Sequence, residues 1–482
     1  MRKKINLIFL YVINIIFLMI FQSCSTYSLN INKQHIEKNG YLIKNVNVFT
    51  AIHGKELLEN VNVYIKNKII VKISADPIEI IGVKIIDGQG KTLIPGLIDF
   101  HTHISSGTFI PWKPVMLPTM DFNFKACLYS GITSVVDMGG KMPEDMYSIV
   151  KDIDEGKKLA PHLFFPGIGF TALNSHPIPF VQRIKEIVPS SLSSFVPDLA
   201  YQITSETDMD KLDKHLNSHP DFTKVFLDDI PLNTPKMTLP VLKEIVRRSH
   251  AKNIPIIIHI GRNEDLKMVI ESGADGVAHN VYKEKLDPKI AEELALKKIF
   301  VVPTIYVWHS YDLFANKHST KHYTKLELET IHPLRLKELM NPFPSSYKEK
   351  SIWNAWNNAI GEYTKNLYPN LAILKEAGVI ILSGTDTPCE GLSPGGSLHV
   401  ELEHFVNAGL TPTEALIAST SAPSKILRNV FHKNINFGTI EEGKDADLVL
   451  VNGDPTKNIK DTQNIIAVFL QGRLLERNTP KM

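Results

Sequence analysis

The sequence predicts an α/β protein, because short apolar runs alternate with longer amphipathic segments through most of its 482 residues. About eight strand–helix units lie between residues 93 and 429, which fits a (β/α)8 TIM barrel. Further β-type runs occur near both ends of the chain, outside that stretch. We therefore expect a barrel and, beside it, a small β-sandwich domain built from N- and C-terminal segments.

The N-terminal segment has the pattern of an export signal. Basic residues at positions 2–4 precede an apolar stretch over residues 5–21, and Cys24 follows a small residue. This order resembles the lipobox of bacterial lipoproteins, although Phe21 stands where such boxes usually carry leucine. It predicts a signal peptide over residues 1–23 and a lipidated Cys24. The mature chain would be a membrane-anchored lipoprotein of the cell envelope that faces the periplasm or the cell exterior. The alternative is an uncleaved anchor, since about 17 apolar residues approach the length of a membrane span.

Charge and cysteine content exclude several classes of protein. Removing residues 1–23 deletes three basic residues and no acidic ones, so the formal net charge of +2 becomes −1. A nearly neutral body gives no reason to expect nucleic acid as a partner. Besides Cys24, the chain contains only Cys127 and Cys389, which are too few for a disulfide scaffold.

The two ends of the chain share a β-type texture. Residues 24–40 are polar and are predicted to form a linker. Residues 41–92 contain short apolar runs separated by turn residues, and residues 434–478 repeat this pattern around the turn at 452–455. These two segments are predicted to form the composite β-sandwich domain.

The middle of the chain, residues 93–433, is the predicted barrel. Its strands are expected at the apolar runs 132–136, 222–227, 256–260, 277–278, 301–302 and 379–382. Helices are expected between them, for example at 239–252 and 264–272. A later helix should begin at Thr411, where Pro412 and Glu414 complete a capping box with proline at the first helical position.

One interval, residues 306–371, interrupts this alternation between the last two strands. It is rich in aromatic residues: Trp308, Tyr311, Trp353, Trp356 and Tyr363. A long insertion at the expected catalytic face is a candidate lid or substrate wall. The alternative is that these aromatic residues serve packing alone.

His101 and His103 are the most informative pair of residues. They follow an apolar run directly, and residues i and i+2 of a strand point to the same face. Both imidazoles can therefore reach one point in space, as ligands of a shared metal ion must. The alternative is two histidines at an exposed strand end.

Further polar residues end or interrupt other apolar runs. His259 closes the run at 256–259, His279 follows Val277 and Ala278, and Asp386 follows the run at 380–382. Lys224 lies within an apolar run between two phenylalanines. A barrel brings the carboxyl ends of its strands to one pocket, so these residues are predicted to converge.

The residues above resemble the amidohydrolase superfamily of metal-dependent hydrolases, and the pattern is closest to its imidazolonepropionase-like and prolidase-like members. The resemblance covers nearly all of the mature chain. It depends on Pro-Gly-Leu-Ile-Asp-Phe-His-Thr-His at residues 95–103, Ala-Asp-Gly-Val-Ala-His-Asn at 274–280 and Ser-Gly-Thr-Asp at 383–386. The ending Gly-Thr-Ile-Glu-Glu-Gly-Lys-Asp-Ala-Asp-Leu-Val-Leu at 438–450 completes it.

This resemblance implies a two-metal site. His101 and His103 would bind one metal, and His259 and His279 a second. Asp386 would bind the first metal and carry protons as the catalytic residue. The metals would be Zn2+, with other divalent metals left open.

Lys224 needs a chemical modification to take part in such a site. An ammonium group has only donors and cannot ligate a cation. In two-metal members of the superfamily, the corresponding lysine is carboxylated by CO2, and the resemblance implies such a CO2-derived carbamate on Lys224 that bridges the metals. The alternative is a lysine whose ammonium group reaches out of the barrel to solvent.

The resemblance implies hydrolysis of a carbon–nitrogen amide bond in a dipeptide or a cyclic amide. One alternative is a mononuclear deaminase-like enzyme. Such members usually carry glutamate three residues after the histidine that corresponds to His259, where this chain has Arg262, although Glu264 lies nearby. The other alternative is a surface lipoprotein that binds a ligand without turnover. The expected partners are the small-molecule or dipeptide substrate and the membrane, and homo-oligomerisation is left open.

Overall fold

A computed structural model of the chain describes residues 29, 31–33, 37–106, 108–110, 113–117, 119–187, 196, 198–313, 321–340 and 354–478. The predicted signal peptide, Cys24 and Trp353 lie outside the described residues. Within the described part of the chain, no helix has both the length and the apolar character needed to cross a membrane.

The strands and helices alternate through the middle of the chain, as expected. The strands are β1 (Ile31–Lys33), β2 (Tyr41–Phe49), β3 (Leu57–Lys66), β4 (Ile69–Ser74), β5 (Lys84–Asp87), β6 (Lys91–Pro95), β7 (Leu97–Thr102), β8 (Thr108–Ile110), β9 (Lys113–Leu117), β10 (Ile132–Asp137), β11 (His162–Phe164), β12 (Gly169–Ala172), β13 (Ala200–Ile203), β14 (Thr223–Phe226), β15 (Ile256–His259), β16 (Gly276–Ala278), β17 (Phe300–Val302), β18 (Leu448–Asn452), β19 (Ile465–Leu470) and β20 (Arg473–Arg477).

The α-helices are α1 (Met120–Tyr129), α2 (Pro143–Asp154), α3 (Ile178–Ile187), α4 (Asp210–Asn217), α5 (Leu239–His250), α6 (Asn263–Ser272), α7 (Pro288–Lys297), α8 (Ile305–Asp312), α9 (Lys325–Thr330), α10 (Pro333–Leu339), α11 (Asn354–Tyr363), α12 (Leu367–Glu376), α13 (Gly396–Asn407), α14 (Pro412–Ala418) and α15 (Ser421–Asn429). Short 3-10 helices are formed by Ile104–Ser106, Thr364–Asn366, Cys389–Gly391 and Ile459–Gln463. The expected capping box is present at α14, where the Thr411 side chain accepts from the Glu414 amide.

The two ends of the chain meet in one nine-stranded sheet, whose main order is β1-β20-β19-β18-β6-β2-β3-β4. Strand β6 runs antiparallel to β18, so that Ile94 lies opposite Val449. The segment predicted to be a linker differs in part, because β1 pairs with β20 and both Leu29 and Ile31 are buried. Two apolar residues on this short stretch are enough to hold it against the sheet. The two-layer sandwich and the exact domain limits stay predictions.

The remaining strands are parallel, apart from β8 and β9, which pair with each other antiparallel. One group pairs in the order β11-β10-β7 and the other in the order β13-β12-β14-β15-β16-β17. The expected strand at 379–382 is reduced to isolated parallel bridges, Val301 with Ile381 and Thr102 with Thr387. Its backbone is still hydrogen bonded on both sides, from Leu382 N to Val301 O and from Phe100 N to Ser383 O, each 2.9 Å. Closure into a complete barrel stays a prediction.

Burial on both faces explains why these strands lack polar alternation. Every residue of β7, β10, β14 and β15 is buried. Parallel strands covered by helices have this near-continuous apolar character. Inside the parallel strands, Phe100, Phe222 and Phe300 form a core cluster together with Phe431. This cluster fills the interior and leaves the polar side chains to one end of the strands.

Gly384 sets how closely two strand ends approach each other. A Cβ at this position would lie 2.7 Å from the Cβ of His101 and 2.5 Å from Cγ1 of Val302. Real Cβ atoms do not approach so closely, so glycine is needed for this contact. The predicted Ser-Gly-Thr-Asp motif therefore packs directly against the predicted His-x-His motif.

His162 links the parallel strands to the nine-stranded sheet. Its Nε2 lies 2.8 Å from Oδ2 of Asp447, and its ring stacks on Phe437. Burial lowers the pKa of His162, but the carboxylates of Asp447 and Asp445 outweigh this and raise it above its ordinary value. The ion pair therefore stabilises the fold below a pH of about 6.5 and is lost as pH rises through the raised pKa.

We expect His162→Gln to lower the free energy of unfolding by about 1 kcal/mol at pH 5.5 and by clearly less at pH 9. Urea denaturation at the two pH values measures this difference. His53→Gln is the control, because the His53 side chain is 99% exposed and should change neither value. An equal loss at both pH values would contradict a contribution from the charged imidazole.

Candidate metal centre

The structure places five of the six predicted site residues at or just beyond the carboxyl ends of parallel strands or strand-like segments, and Lys224 inside β14. His101 lies in β7 near its end, Lys224 in β14 and His259 at the end of β15. The remaining residues follow a strand or strand-like segment: His103, His279 and Asp386. Five of the six are buried, while 26% of the His103 side chain is exposed. The site is therefore a largely enclosed polar cluster with one side open to solvent.

Asp386 joins the two histidines of the His-x-His motif. Its Oδ1 lies 3.3 Å from Nε2 of His101 and 3.2 Å from Nε2 of His103. Burial alone would raise the pKa of Asp386, but the two imidazoles hold it well below its usual range. Burial also lowers the pKa of His101 to about 3. The carboxylate is thus ionised and His101 is neutral, which are the forms that can ligate a cation.

His259 and His279 form a second pair beside the first. Nε2 of His279 lies 3.0 Å from Nδ1 of His259, and the His279 ring is 4.8 Å from the His101 ring. Ligand atoms of His101, His279 and Asp386 all lie within 4.8 Å of one another. Burial lowers the pKa of both histidines of this pair. The two pairs are therefore continuous through His279.

Polar contacts on the outer side of the rings, two hydrogen bonds and one ion-pair contact, set which nitrogen faces the centre. His103 Nδ1 lies 3.1 Å from Gly139 O, and His279 Nδ1 lies 2.6 Å from Oγ1 of Thr304. His259 Nε2 lies 3.4 Å from Oδ2 of Asp228. An outer N–H leaves the inner nitrogen as a lone-pair donor. The three rings are thereby oriented to bind a cation.

The backbone is strained at the same positions. His279, Thr304 and Asp386 have positive φ angles of 73°, 47° and 65°. Residues other than glycine adopt this region at a cost, and such residues concentrate at functional sites. The strain supports a binding role for the polar cluster over a structural one.

Lys224 is the least satisfied member of the cluster. It is completely buried, and its Nζ has no hydrogen-bond partner among the described residues. Burial lowers its pKa to about 7, although the Asp386 carboxylate opposes this change. Burying a polar atom without a partner costs free energy, so the position of Lys224 indicates that its amine binds a ligand or is modified in the active protein.

The donor set fits a divalent transition metal. Imidazole and carboxylate groups suit Zn2+ and related ions. Burial favours the neutral, ligating form of His101, His259 and His279. Burial also opposes the charged form of His103, but Asp386 outweighs this and raises the pKa of His103, so that this residue gives up a proton when it binds a metal. His101, His103 and Asp386 would hold one ion. His259 and His279 would hold a second, and Lys224 could add a ligand only after its amine has become an anionic group.

Asp228 is a functional residue that the sequence pattern does not single out. It lies behind His259, and its carboxylate also accepts hydrogen bonds from Tyr282 Oη at 2.7 Å and Lys283 Nζ at 2.5 Å. Burial raises its pKa, but Lys283 and His259 overcome this and hold the pKa well below its usual range. The only signal was its place two residues beyond the end of β14.

Asp99, in β7, supports Asp386 through the preceding residue, Thr385. Its carboxylate accepts from Thr385 N at 3.0 Å and from Thr385 Oγ1 at 2.7 Å. His176 is another residue without a motif signal, and its ring lies 4.9 Å from the His259 ring. The sequence did offer one signal for Asp99, because it is a charged residue within the apolar run that precedes His101.

The aromatic residues of the insertion reach the cluster. The Trp308 ring lies 5.1 Å from His279 in an edge contact and stacks on Tyr282 at 3.9 Å. Trp356 lies 5.1 Å from Tyr311 and continues the same wall. Trp308 and Trp356 are buried, so packing accounts for much of their role. Trp308 lies beside a predicted metal ligand, and the substrate wall stays a prediction.

Comparisons with known proteins give short matches to curated relatives. A dihydroorotase from Carboxydothermus hydrogenoformans is 34% identical over 130 residues, which cover 27% of this chain and 28% of the relative. The chain spans less than a third of the length of the curated relatives it matches.

Two solved structures cover most of the chain. A Xaa-Pro dipeptidase with bound methionine has a TM-score of 0.69 and 20% identity, and the match covers 90% of this chain and 99% of that one. The ochratoxinase of A. niger has a TM-score of 0.66 and 20% identity, and the match covers 93% and 96%. At these identities, the likeness shows the fold.

The family itself is shown by the sequence. The model of the amidohydrolase family matches residues 92–475, which include all six predicted site residues. This match confirms the predicted resemblance to the amidohydrolase superfamily. The chain belongs to the amidohydrolase family.

Proposed function

We propose that this protein is a metal-dependent amidohydrolase that cleaves the amide bond of a dipeptide or a cyclic amide. The observation that carries the proposal is the convergence of His101, His103 and Asp386 with the pair His259 and His279. These residues come from distant parts of the sequence, and their inward atoms lie at hydrogen-bonding or ligand-like distances before any ion is considered. Such a set is costly to bury unless a cation is its partner.

The chemistry needs a proton carrier as well as a Lewis acid. The cluster would hold a divalent metal, which would supply polarisation of an amide carbonyl and a lowered pKa of bound water. Asp386 Oδ1 or Oδ2 accepts the proton of the attacking water and returns it to the leaving nitrogen. Because the two histidines favour the ionised carboxylate, Asp386 begins the cycle in the form that can accept a proton.

In the proposed hydrolysis, Lys224 takes part as a carbamate. The lone pair of its neutral amine forms a bond to the carbon of CO2, the electrons of one C=O π bond move to oxygen, and the amine gives a proton to water, which leaves an anionic group with two oxygen donors. A pKa of about 7 supports this step, because a large fraction of the amine is neutral at physiological pH. Zn2+ is the proposed metal, two ions to a chain, on the basis of the ligand types.

An amide with an apolar or aromatic group is the substrate that the surroundings favour. Trp308 and Tyr282 form a stacked wall beside His279. The solved Xaa-Pro dipeptidase of similar fold supports a small peptide as the first class to test. The parallel strands are proposed to close into a full barrel around this site, with the two end segments forming a β-sandwich beside it. The N-terminal pattern supports lipidation at Cys24 and action at the cell envelope.

The test is metal analysis of the purified protein together with a panel of dipeptides and cyclic amides. We expect about two equivalents of divalent metal per chain. We also expect hydrolysis that chelation abolishes and added Zn2+ restores. Bound metal with no cleavage of any amide, ester or lactone would instead favour the ligand-binding lipoprotein. Ammonia release from an amino-substituted heterocycle, with one metal per chain, would favour the deaminase.

We expect Lys224→Ala to lower bound metal and to abolish most of the hydrolysis, with partial recovery in short carboxylic acids such as acetate. The reason is that a small carboxylate can supply the oxygens of the missing carbamate. Metal content and hydrolysis rate, with and without acid, measure the effect. Lys243→Ala, which removes an exposed lysine, is the matched control. Unchanged metal content in Lys224→Ala would remove the bridging role.

Asp228→Asn should weaken metal binding by about 10- to 100-fold, because the amide no longer fixes the outer N–H of His259 as an anion does. Competition with a chromophoric chelator measures the affinity. Asp275→Asn is the control, since Asp275 pairs with His250 in a similar way at the protein surface, with a 2.8 Å contact. Equal affinities in the two variants would show that Asp228 has no special effect on the centre.

A further inference from the structure

The loop that follows Asp386, residues 387–392, is hydrogen bonded to the chain at the end of β7. The amide of His103 donates to Thr387 O at 2.6 Å, and the amide of Asp386 donates to His101 O at 2.7 Å. Within the loop, Cys389 N donates to Asp386 O at 3.0 Å, and Cys389 Sγ lies 3.7 Å from Asp386 Oδ1. The position of the Asp386 carboxylate is therefore tied to the shape of this loop.

Two cations of the insertion hold the outer side of the same loop. Arg335, on α10, donates from Nη1 to Leu392 O at 2.7 Å and from Nη2 to Pro388 O. Lys321 Nζ donates to Gly391 O at 3.4 Å. Arg335 is 3% exposed, and so is the Lys321 side chain, so solvent does not provide alternative partners for these carbonyls.

Lys321 connects this loop to the opposite side of the centre. Its Nζ lies 3.9 Å from the centre of the Tyr306 ring, and the Tyr306 hydroxyl donates to Glu327 Oε1 at 2.9 Å. Tyr306 lies in α8, which begins directly after Thr304, and Thr304 Oγ1 contacts His279. The insertion thus touches the supports of both Asp386 and His279.

We propose that Arg335 and Lys321 are positioning residues, through which docking of the insertion fixes Asp386 in its metal-binding geometry. This inference rests on the proposed function. Buried carbonyls need hydrogen-bond donors, and the guanidinium of Arg335 satisfies two of them in a fixed fork. When these donors are removed, the loop relaxes to find other partners and the Asp386 carboxylate leaves its place beside His101 and His103. The insertion is therefore part of the metal centre's support as well as a wall.

The experiment compares metal affinity in Arg335→Met, Arg335→Lys and Lys321→Met with that of the unmodified chain. We expect about a tenfold or greater loss of Zn2+ affinity in Arg335→Met. Smaller losses are expected in the other two, because the lysine of Arg335→Lys can still serve one carbonyl and Lys321 serves only one. The absorption spectrum of the Co2+-loaded protein should shift in the same order, since it reports ligand geometry. Lys365→Met, which removes an exposed cation of the same insertion, should match the unmodified chain.

Circular dichroism and thermal unfolding identify variants that have lost the fold. If Arg335→Met does not fold, the comparison of Arg335→Lys and Lys321→Met with Lys365→Met decides. Folded variants with unmodified affinity and an unchanged Co2+ spectrum would overturn the positioning role. An unmodified chain that binds metal but cleaves no substrate would overturn the proposed function alone, while the affinity data would still test Arg335 and Lys321. An unmodified chain that binds no divalent metal would overturn both.

Discussion

The carboxylate of Asp386 is the contact on which the arrangement of the site depends. One of its oxygens lies within 3.3 Å of the inner nitrogens of both His101 and His103. Burial would favour the protonated acid, but the two imidazoles reverse this and keep the carboxylate charged. Asp386 follows the bridged segment at 380–382, and the two histidines lie in β7 and directly after it. This contact therefore also ties the two ends of the parallel-strand region together.

The contacts around the cluster hold in place side chains that would otherwise repel one another. Inner nitrogens of neighbouring histidines repel one another unless a cation or a proton lies between them. Outer contacts to Gly139 O, Thr304 and Asp228 prevent the rings from turning away. Strained backbone at Thr304 and Asp386 shows that surrounding packing, not local preference, determines these positions. The fold is therefore less stable than it could be, because these side chains are held in the geometry that a bound cation needs.

The sequence was informative where a residue's role follows from its own strand. His101, His103, His259 and Lys224 could be predicted to converge, because an apolar run predicts a strand and parallel strands share one carboxyl end. Asp228, Thr304 and Arg335 could not be predicted, since each acts through a contact with a residue distant in the chain. Their local sequences carry no spacing that distinguishes them from ordinary polar residues. The pairing of β1 with β20 was also missed, because two apolar residues are too short a signal for a strand.

The burial of Lys224 is difficult to explain by stability alone. Its pKa of about 7 lies far below the ordinary value of 10.5, because burial disfavours the ammonium ion. Between these two values the unfolded chain binds a proton that the folded chain does not. The burial of Lys224 therefore destabilises the metal-free fold, fully at low pH and less as pH rises from about 7 towards 10.5. A leucine or methionine would remove this penalty, so stability alone does not explain a lysine here. The neutral amine that the burial produces is the form that reacts with CO2, and its anionic product would relieve both the unpaired nitrogen and the crowding of positive charge expected between two bound cations.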